Sequence, residues 1–295
     1  MKVLLIGANG QLGTDLHGVL TTREITVIPV THKELEICNV DAVSAATSEI
    51  KPDVVISTAA FHKVEECEKQ PAVAFDVNAL GVRNLAQACD RVGCVLVHFS
   101  TDYVFDGKQR KPYLEEDLPR PLSVYGASKL AGEHMVAAST ERYFVIRTCG
   151  LYGLAGSSGK GGNFVEAMLK KAAEGSQIRV VNDQVLTPTF TVDLAEAVAH
   201  LIRTKAYGLY HISSEGECSW YEFTKKIFEL ENLQVDLVPV ATDQFPSPVK
   251  RPPYSVLSKR RLRDVGLAMP PWEDALARYL QARRRKSEKF VGASG

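Results

Sequence analysis

The stretch KVLLIGANGQLG, residues 2–13, constrains this chain more than any other. Val3–Ile6 is an apolar run with strand character, and Gly7, Gly10 and Gly13 follow at intervals of three. A helical pattern then continues to about Leu20. A strand, a glycine turn and a helix in immediate succession form the opening unit of a doubly wound α/β fold. The glycines serve different ends: a sharp turn, close approach of backbone to a pyrophosphate, and tight packing of helix on sheet. The helix start adds unpaired N–H groups and the positive end of the helix dipole. Gly7, Asn9, Gly10, Gln11, Leu12 and Gly13 are therefore the expected dinucleotide cradle.

The pattern repeats through the first half. Strands are expected at Thr26–Val30, from Pro52 to Ile56, at Cys94–Phe99 and at Tyr143–Arg147, with helices over 41–50 and 72–92 between them. Strands apolar along their whole length belong to parallel sheets covered on both faces. Gly150–Gly162 holds six glycines and two serines in thirteen positions and reads as a mobile loop. Helices are then expected over 164–174, 191–203, 219–231 and 272–284, with strand-like stretches at Ile178–Val181 and Gly208–Ser213 and an irregular proline-rich run from Pro239 to Pro253. The expected architecture is a Rossmann-type doubly wound parallel sheet in residues 1–149, joined by parts of 163–205. Residues 150–295 form mainly a smaller, partly interwoven and discontinuous α/β substrate lobe. Ligands of such folds bind at the carboxyl edge of the sheet.

Charge narrows the partners. Lys and Arg total 35 and Asp and Glu total 35, so nothing draws the chain to nucleic acid or an anionic membrane. The cluster Arg283-Arg284-Arg285-Lys286 reads as a solvated, frayed tail. Six scattered cysteines without a CxxC pair suit reduced thiols, and the seven histidines lack metal-ligand spacing. No apolar run approaches a membrane span, and the apolar stretch at the N-terminus is too short for a signal peptide. A soluble, cytoplasmic protein without metal is expected.

Two further segments carry chemistry. Nucleotide choice should be visible after the second strand, where a carboxylate would hold a ribose 2′-hydroxyl. Thr31, His32 and Lys33 stand there and suit a 2′-phosphate, which favours NADPH; Glu34 and Glu36 follow and keep NADH open. In VYGASKLAGEH, residues 124–134, Tyr125 and Lys129 lie on one helix face. A nearby ammonium is expected to lower the phenol's pKa, and it could also hold a nicotinamide ribose. Thr101, at the end of the preceding strand, can orient a carbonyl oxygen beside Tyr125. Together they form a carbonyl-reductase site.

Gly7–Gly13 with YGASK resembles the extended short-chain dehydrogenase/reductase superfamily, and further segments resemble the dTDP-4-dehydrorhamnose reductase family within it. These are STDYVFDG (100–107), PLSVYGASKLAGE (121–133), GGNFV (161–165), NDQVLTPTF (182–190), GLYHIS (208–213), SWYEF (219–223) and RPPYS (251–255). The resemblance implies NADPH-dependent reduction of the 4-keto group of dTDP-4-dehydro-6-deoxy-L-mannose to dTDP-L-rhamnose. Tyr125 is the implied proton donor, supported by Lys129, Thr101 and Asp102. It also implies cofactor contacts from Ala59, Ala60 and Asn78. Substrate contacts are implied from His62, Val64, Asn163, Gln184 and Arg251, beside Thr101, Asp102 and Tyr125. Dehydratases of the superfamily carry an Asp-Glu pair where this chain has Asp102-Tyr103, so the second acid of a dehydration is missing.

The chain departs from the family pattern in three places. The family's S-W-x-Y-G segment is replaced by Thr148-Cys149-Gly150-Leu151-Tyr152-Gly153, so the sugar-facing aromatic of that segment is absent. His62 replaces a hydroxyl residue of many relatives. Asp15 and Val192 fall where some relatives place glutamates for magnesium at a subunit contact, so magnesium is not supported, while a homodimer without it stays open. Two other readings share the early motifs. One is another extended-family epimerase or reductase. The other is a noncatalytic NADP-binding regulatory subunit resembling the β subunit of eukaryotic methionine adenosyltransferase. SWYEF and GGNFV favour the reductase.

Overall fold

The computed structural model describes residues 1–155, 162–245 and 247–292. β1 (Lys2–Ile6) runs into the glycine turn, followed by α1 (Gln11–Thr22), β2 (Thr26–Val30), α2 (Val40–Ile50) and β3 (Val54–Ser57). Asn39 starts α2 by accepting the Ala42 N–H at 3.0 Å, which satisfies a donor the helix cannot. Beyond β3, α3 (Val64–Lys69) and α4 (Pro71–Phe75) lead through a π-helical turn, Asp76–Gly81, into α5 (Val82–Val92). β4 (Val95–Thr101), α6 (Val124–Ala137) and β5 (Tyr143–Thr148) complete the first half.

The single helix expected over 72–92 is thus interrupted. A π turn inserts one residue and rotates the helix face that follows it. Here it carries Asn78 inward, where the side chain accepts the Phe61 N–H at 2.9 Å and donates to Phe61 O and Ser128 Oγ, each at 3.0 Å.

The second half contains β6 (Leu151–Tyr152), α7 (Phe164–Ala173), β7 (Ile178–Val181), β8 (Val185–Leu186), β9 (Thr189–Phe190), α8 (Thr191–Leu201) and β10 (Gly208–His211). β11 (Cys218–Ser219), α9 (Trp220–Leu230), β12 (Leu237–Val240), α10 (Arg260–Asp264) and α11 (Trp272–Gly292) follow. The main sheet is parallel and six-stranded, ordered β10-β5-β4-β3-β1-β2. Chain order reverses between β1 and β3, which opens a crevice at their carboxyl ends. Alternate strand residues face opposite sides. Val3, Leu5, Ile56, Val97 and Phe144 pack with Leu16 of α1 and Leu194 and Val198 of α8, while Leu4, Val55, Leu96 and Val145 pack with Val43, Leu85 and Val136.

The remaining strands form three two-stranded sheets, β6 with β9, β7 with β12 and β8 with β11. They surround a second core of Tyr152, Phe190, Phe223, Ile227, Leu276 and Tyr279. Two expectations change here. The stretch Gly150–Gly162 begins as β6, and its residues 156–161, with the first residue of GGNFV, lie outside the described residues. The basic cluster is no frayed tail but part of α11: Arg283 Nε donates to Glu166 at 2.7 Å, Arg284 pairs with Glu231 at 3.1 Å, and Lys286 Nζ donates to Leu154 O at 3.1 Å.

α6 is clamped to the sheet by a buried ion pair. Arg147 of β5 donates to Glu133 of α6 through Nε at 2.9 Å and Nη2 at 2.7 Å, and Ser100 Oγ of β4 donates to Glu133 Oε1 at 2.5 Å. Removing one partner strands a buried charge, which costs about 3–5 kcal/mol. We expect Arg147→Met to lose about that much stability in urea denaturation, and Glu133→Gln with Arg147→Met to lose less than Arg147→Met alone.

Candidate active site

The crevice opens into a cavity of about 570 Å³, a size suited to small-molecule ligands. Gly10, Gln11 and Leu12 line one end; Thr58, Ala59 and Ala60, just after β3, lie beside them. Ser100, Thr101, Asp102, Tyr103, Tyr125 and Lys129 line the middle, and Cys149, Gly150, Asn163, Phe164 and Trp220 bring in the second lobe.

The glycine end fits a dinucleotide phosphate. Gly7 holds φ +78°, and a Cβ there would lie 2.5 Å from Thr58 Oγ1. Thr58 Oγ1 itself reaches the Ile6 and Gly7 carbonyls at 3.0 Å and so ties the turn to β3. A Cβ on Gly13 would meet Gly7 O at 2.2 Å. Gly10 caps α1 without any side-chain hydrogen bond, so the first N–H groups of the helix face the crevice uncapped. The buried Oε1 of Gln11 has no hydrogen-bond partner. Gly7, Asn9 and Gly13 shape the turn rather than line the cavity.

Thr31, His32 and Lys33 follow β2 and do not line the cavity. The neighbouring carboxylates fold back on them: Thr31 donates to Glu34 through its N–H at 2.7 Å and its hydroxyl at 2.8 Å, and His32 Nδ1 lies 3.1 Å from Glu36. Both acids are thus engaged locally, and Lys33 is exposed.

The reaction end is set by α6, which Ser123 caps by accepting the Gly126 N–H at 3.2 Å. Burial raises the Tyr125 phenol above its usual range, and hydrogen bonding with Thr101 pulls it partly back. The expected lowering by Lys129 is not what governs this phenol. It stays protonated, the state a proton donor needs. Burial pushes Lys129 down to about 8, opposed by the Glu133 charge one turn further on. Its Nζ lies 3.4 Å from Nε2 of the fully buried His98, which desolvation keeps neutral. Asp102 accepts from Ser255 Oγ at 2.6 Å and from Thr101 Oγ1 at 3.0 Å, and burial raises its carboxyl to about 6.

The remaining expected residues divide. His62, Val64, Ala59, Ala60 and Asn163 line the main cavity, although the Asn163 amide already donates to Gly153 O at 2.9 Å and Tyr279 Oη at 3.0 Å. Gln184 and Arg251 line an adjoining cavity of about 80 Å³, where Arg251 pairs with Glu65 at 2.5 Å. Asn78 lines neither; its side chain is spent on Phe61 and Ser128, so it supports the wall instead of touching a ligand. Asp15 accepts from the Thr191 hydroxyl, and Val192 packs between the two cores. Among the described residues no group of three His, Cys, Asp or Glu could hold a metal, and no helix is long and apolar enough to cross a membrane.

The family described as RmlD substrate binding domain matches residues 1–285. The chain belongs to this family. It is 42% identical over 282 residues to the spore coat polysaccharide biosynthesis protein SpsK of Bacillus subtilis (strain 168), covering 96% of this chain and 98% of that one. It is 33% identical over 298 residues to the dTDP-4-dehydrorhamnose reductase of Escherichia coli (strain K12), covering 95% and 97%. A solved dTDP-4-dehydrorhamnose reductase of Bacillus anthracis str. Ames, in complex with NADP, superposes with a TM-score of 0.91 at 42% identity, covering 95% of this chain and 99% of that one.

Within this RmlD-type cavity, sequence reading missed Phe164, Trp220, Ser255 and His98. SWYEF and RPPYS were visible as motifs, yet their side chains reach the site only because α9 and the segment before α10 fold back on the main sheet. His98 carried a signal: a histidine inside an apolar strand, one turn of pleat before the Ser100-Thr101-Asp102 edge.

The Lys129 value has a measurable consequence. An amine lowered to about 8 is an ammonium below that pH and neutral above it. We expect NADPH affinity, followed by titration calorimetry, to weaken as pH rises through about 8, and Lys129→Met to bind more weakly with no such step.

Proposed function

We propose that the chain reduces the 4-keto group of dTDP-4-dehydro-6-deoxy-L-mannose to dTDP-L-rhamnose with NADPH. The observation that carries this reading is the convergence of Thr101, Tyr125 and Lys129 on one cavity whose far end is an uncapped, glycine-formed helix start. Family membership supports it, since relatives covering nearly the whole chain are named dTDP-4-dehydrorhamnose reductases and one was solved with NADP.

Gly7 to Gly13 and the start of α1 take the pyrophosphate, with Ala59 and Ala60 along the adenosine-to-nicotinamide path. Thr31 and Lys33 receive the 2′-phosphate. NADPH, when bound, supplies the hydride for the C4 carbon. Thr101 turns its single hydroxyl proton from Asp102 to the ketone oxygen when substrate enters, and Tyr125 gives its phenolic proton to that oxygen as it gains charge. Lys129 holds the ribose hydroxyls and stabilises the phenolate left behind. Asp102, fixed by Ser255, keeps the Thr101 hydroxyl in place until substrate enters. Arg251 faces the substrate diphosphate, which its planar fork suits. His62, Val64, Asn163 and Gln184 complete the substrate wall. With these metabolites the protein works in the cytoplasm.

Purified protein is expected to oxidise NADPH when given dTDP-4-dehydro-6-deoxy-L-mannose. Tight NADPH binding without turnover of that ketone would instead mark a noncatalytic subunit. Tyr125→Phe should keep NADPH affinity and lose about 10²–10⁴-fold in kcat, the usual worth of a positioned proton donor. Wild-type kcat in that variant rules the assignment out.

A further inference from the structure

Four residues, Asp102, Tyr103, Gly150 and Trp220, line both the main cavity and the smaller one beside it. They mark the junction between the two spaces. On one side lie Thr101 and Tyr125, on the other Arg251. Under the function proposed above, a ketone at C4 meets Tyr125 and a diphosphate on C1 meets Arg251. C1 and C4 are opposite corners of a hexose ring, so the ring itself has to lie at this junction.

The junction offers two aromatic rings: Tyr103, whose ring meets that of Tyr125 edge-on at 5.7 Å, and Trp220. After β5, Cys149 lines the main cavity with its Sγ already donating to Thr187 O at 3.0 Å. Gly150 has no side chain, holds φ +58°, and would press a Cβ within 3.0 Å of both Leu186 and Pro188. Trp220, only partly exposed, lines both spaces as the first residue of α9.

Its placement is rigid. Ser219 Oγ accepts the Glu222 N–H at 3.1 Å, the Glu222 carboxylate accepts the Ser219 N–H at 2.7 Å, and Ser219 Oγ donates to Asn182 at 2.7 Å. This capping box fixes the start of α9, while pairing of β11 with β8 fixes the strand before it. The Phe164 ring packs against the indole at 4.3 Å and Phe223 at 6.3 Å. A large, pre-positioned aromatic face needs no ordering when a ligand arrives.

We propose that Trp220 is the platform on which the 6-deoxyhexulose ring of the substrate stacks, and so a determinant of which sugar is accepted. The C–H bonds of one ring face and the C6 methyl meet the electron-rich indole face, and hydroxyl-rich faces are disfavoured there. The inference rests on the proposed nucleotide-sugar reduction.

The chain has two tryptophans, and the other, Trp272, is 6% exposed in the second core. In a Trp272→Phe background, intrinsic fluorescence therefore reports Trp220. With NADP⁺ present, titration with dTDP-L-rhamnose is expected to give a saturable change, and dTDP alone to bind without it. In the otherwise unaltered chain, Trp220→Ala should raise KM for the ketone about tenfold or more with KM for NADPH unchanged, and Trp220→Phe should recover most of the loss. An unchanged ketone KM in Trp220→Ala, or an equal fluorescence change with dTDP alone, overturns the platform. Wild-type turnover of the ketone is measured first, so its absence refutes the proposed reaction and not the platform within it.

Discussion

Every functional atom on α6 depends on where that helix sits against the sheet, and the buried Glu133–Arg147 pair decides it. The side chains are 8% and 3% exposed, so both charges have left water at a cost that attraction alone does not reliably offset. Geometry offsets it here. The guanidinium meets the carboxylate through two nitrogens, Ser100 fills a further lone pair, and Arg147 also lies 5.0 Å from the Phe105 ring centroid. The pair joins α6 to β4 and β5 at once, and a slip of one residue would break three hydrogen bonds in a dry interior. Its contribution is register more than net stability.

Register then carries through the helix by spacing. Tyr125, Lys129 and Glu133 recur every four residues and share a face. Fixing Glu133 therefore orients the ammonium and the phenol along the cavity. Two glycines let the helix come close enough: a Cβ at Gly126 would stand 2.2 Å from Tyr103 O, and one at Gly132 equally near Asn78 O. The second contact sets α6 directly against the π turn, at the Asn78 backbone. The turn bearing Tyr103, which follows directly on Thr101 at the end of β4, and the wall bearing Phe61 are thereby locked to the same helix.

Legibility in the sequence follows the range of the forces involved. The glycine cradle, the apolar strands and the Tyr125–Lys129 spacing are local patterns, and they were readable. The π turn keeps the apolar composition of a long helix and differs only by one inserted residue, so periodicity passes over it. The second lobe rests on two-residue strands paired across long separations, as with Tyr152 against Phe190 or Cys218 against Leu186, which leave no local trace. Basic residues 283–286 looked solvated because their partners, Glu166 and Glu231, are distant in sequence. Trp220 is the sharpest instance. Its indole belongs to α9, and its place at the junction of the two cavities shows only when that helix and the segment after β5 share a cavity.

Burial also sets the electrical state of the site. Desolvation disfavours either charged form, so it drives Asp102 up to about 6 and Lys129 down to about 8. Between those values the cavity holds one carboxylate and one ammonium, and a phenol that burial keeps protonated shares the cavity with both. Below about 6 Asp102 gains a proton and weakens as an acceptor for Thr101; above about 8 Lys129 loses the charge that would stabilise a phenolate. The window in which all three groups hold their working forms therefore lies near neutral pH. The enclosure that positions the reactants also produces that window, without any pairing of opposite charges inside the cavity itself.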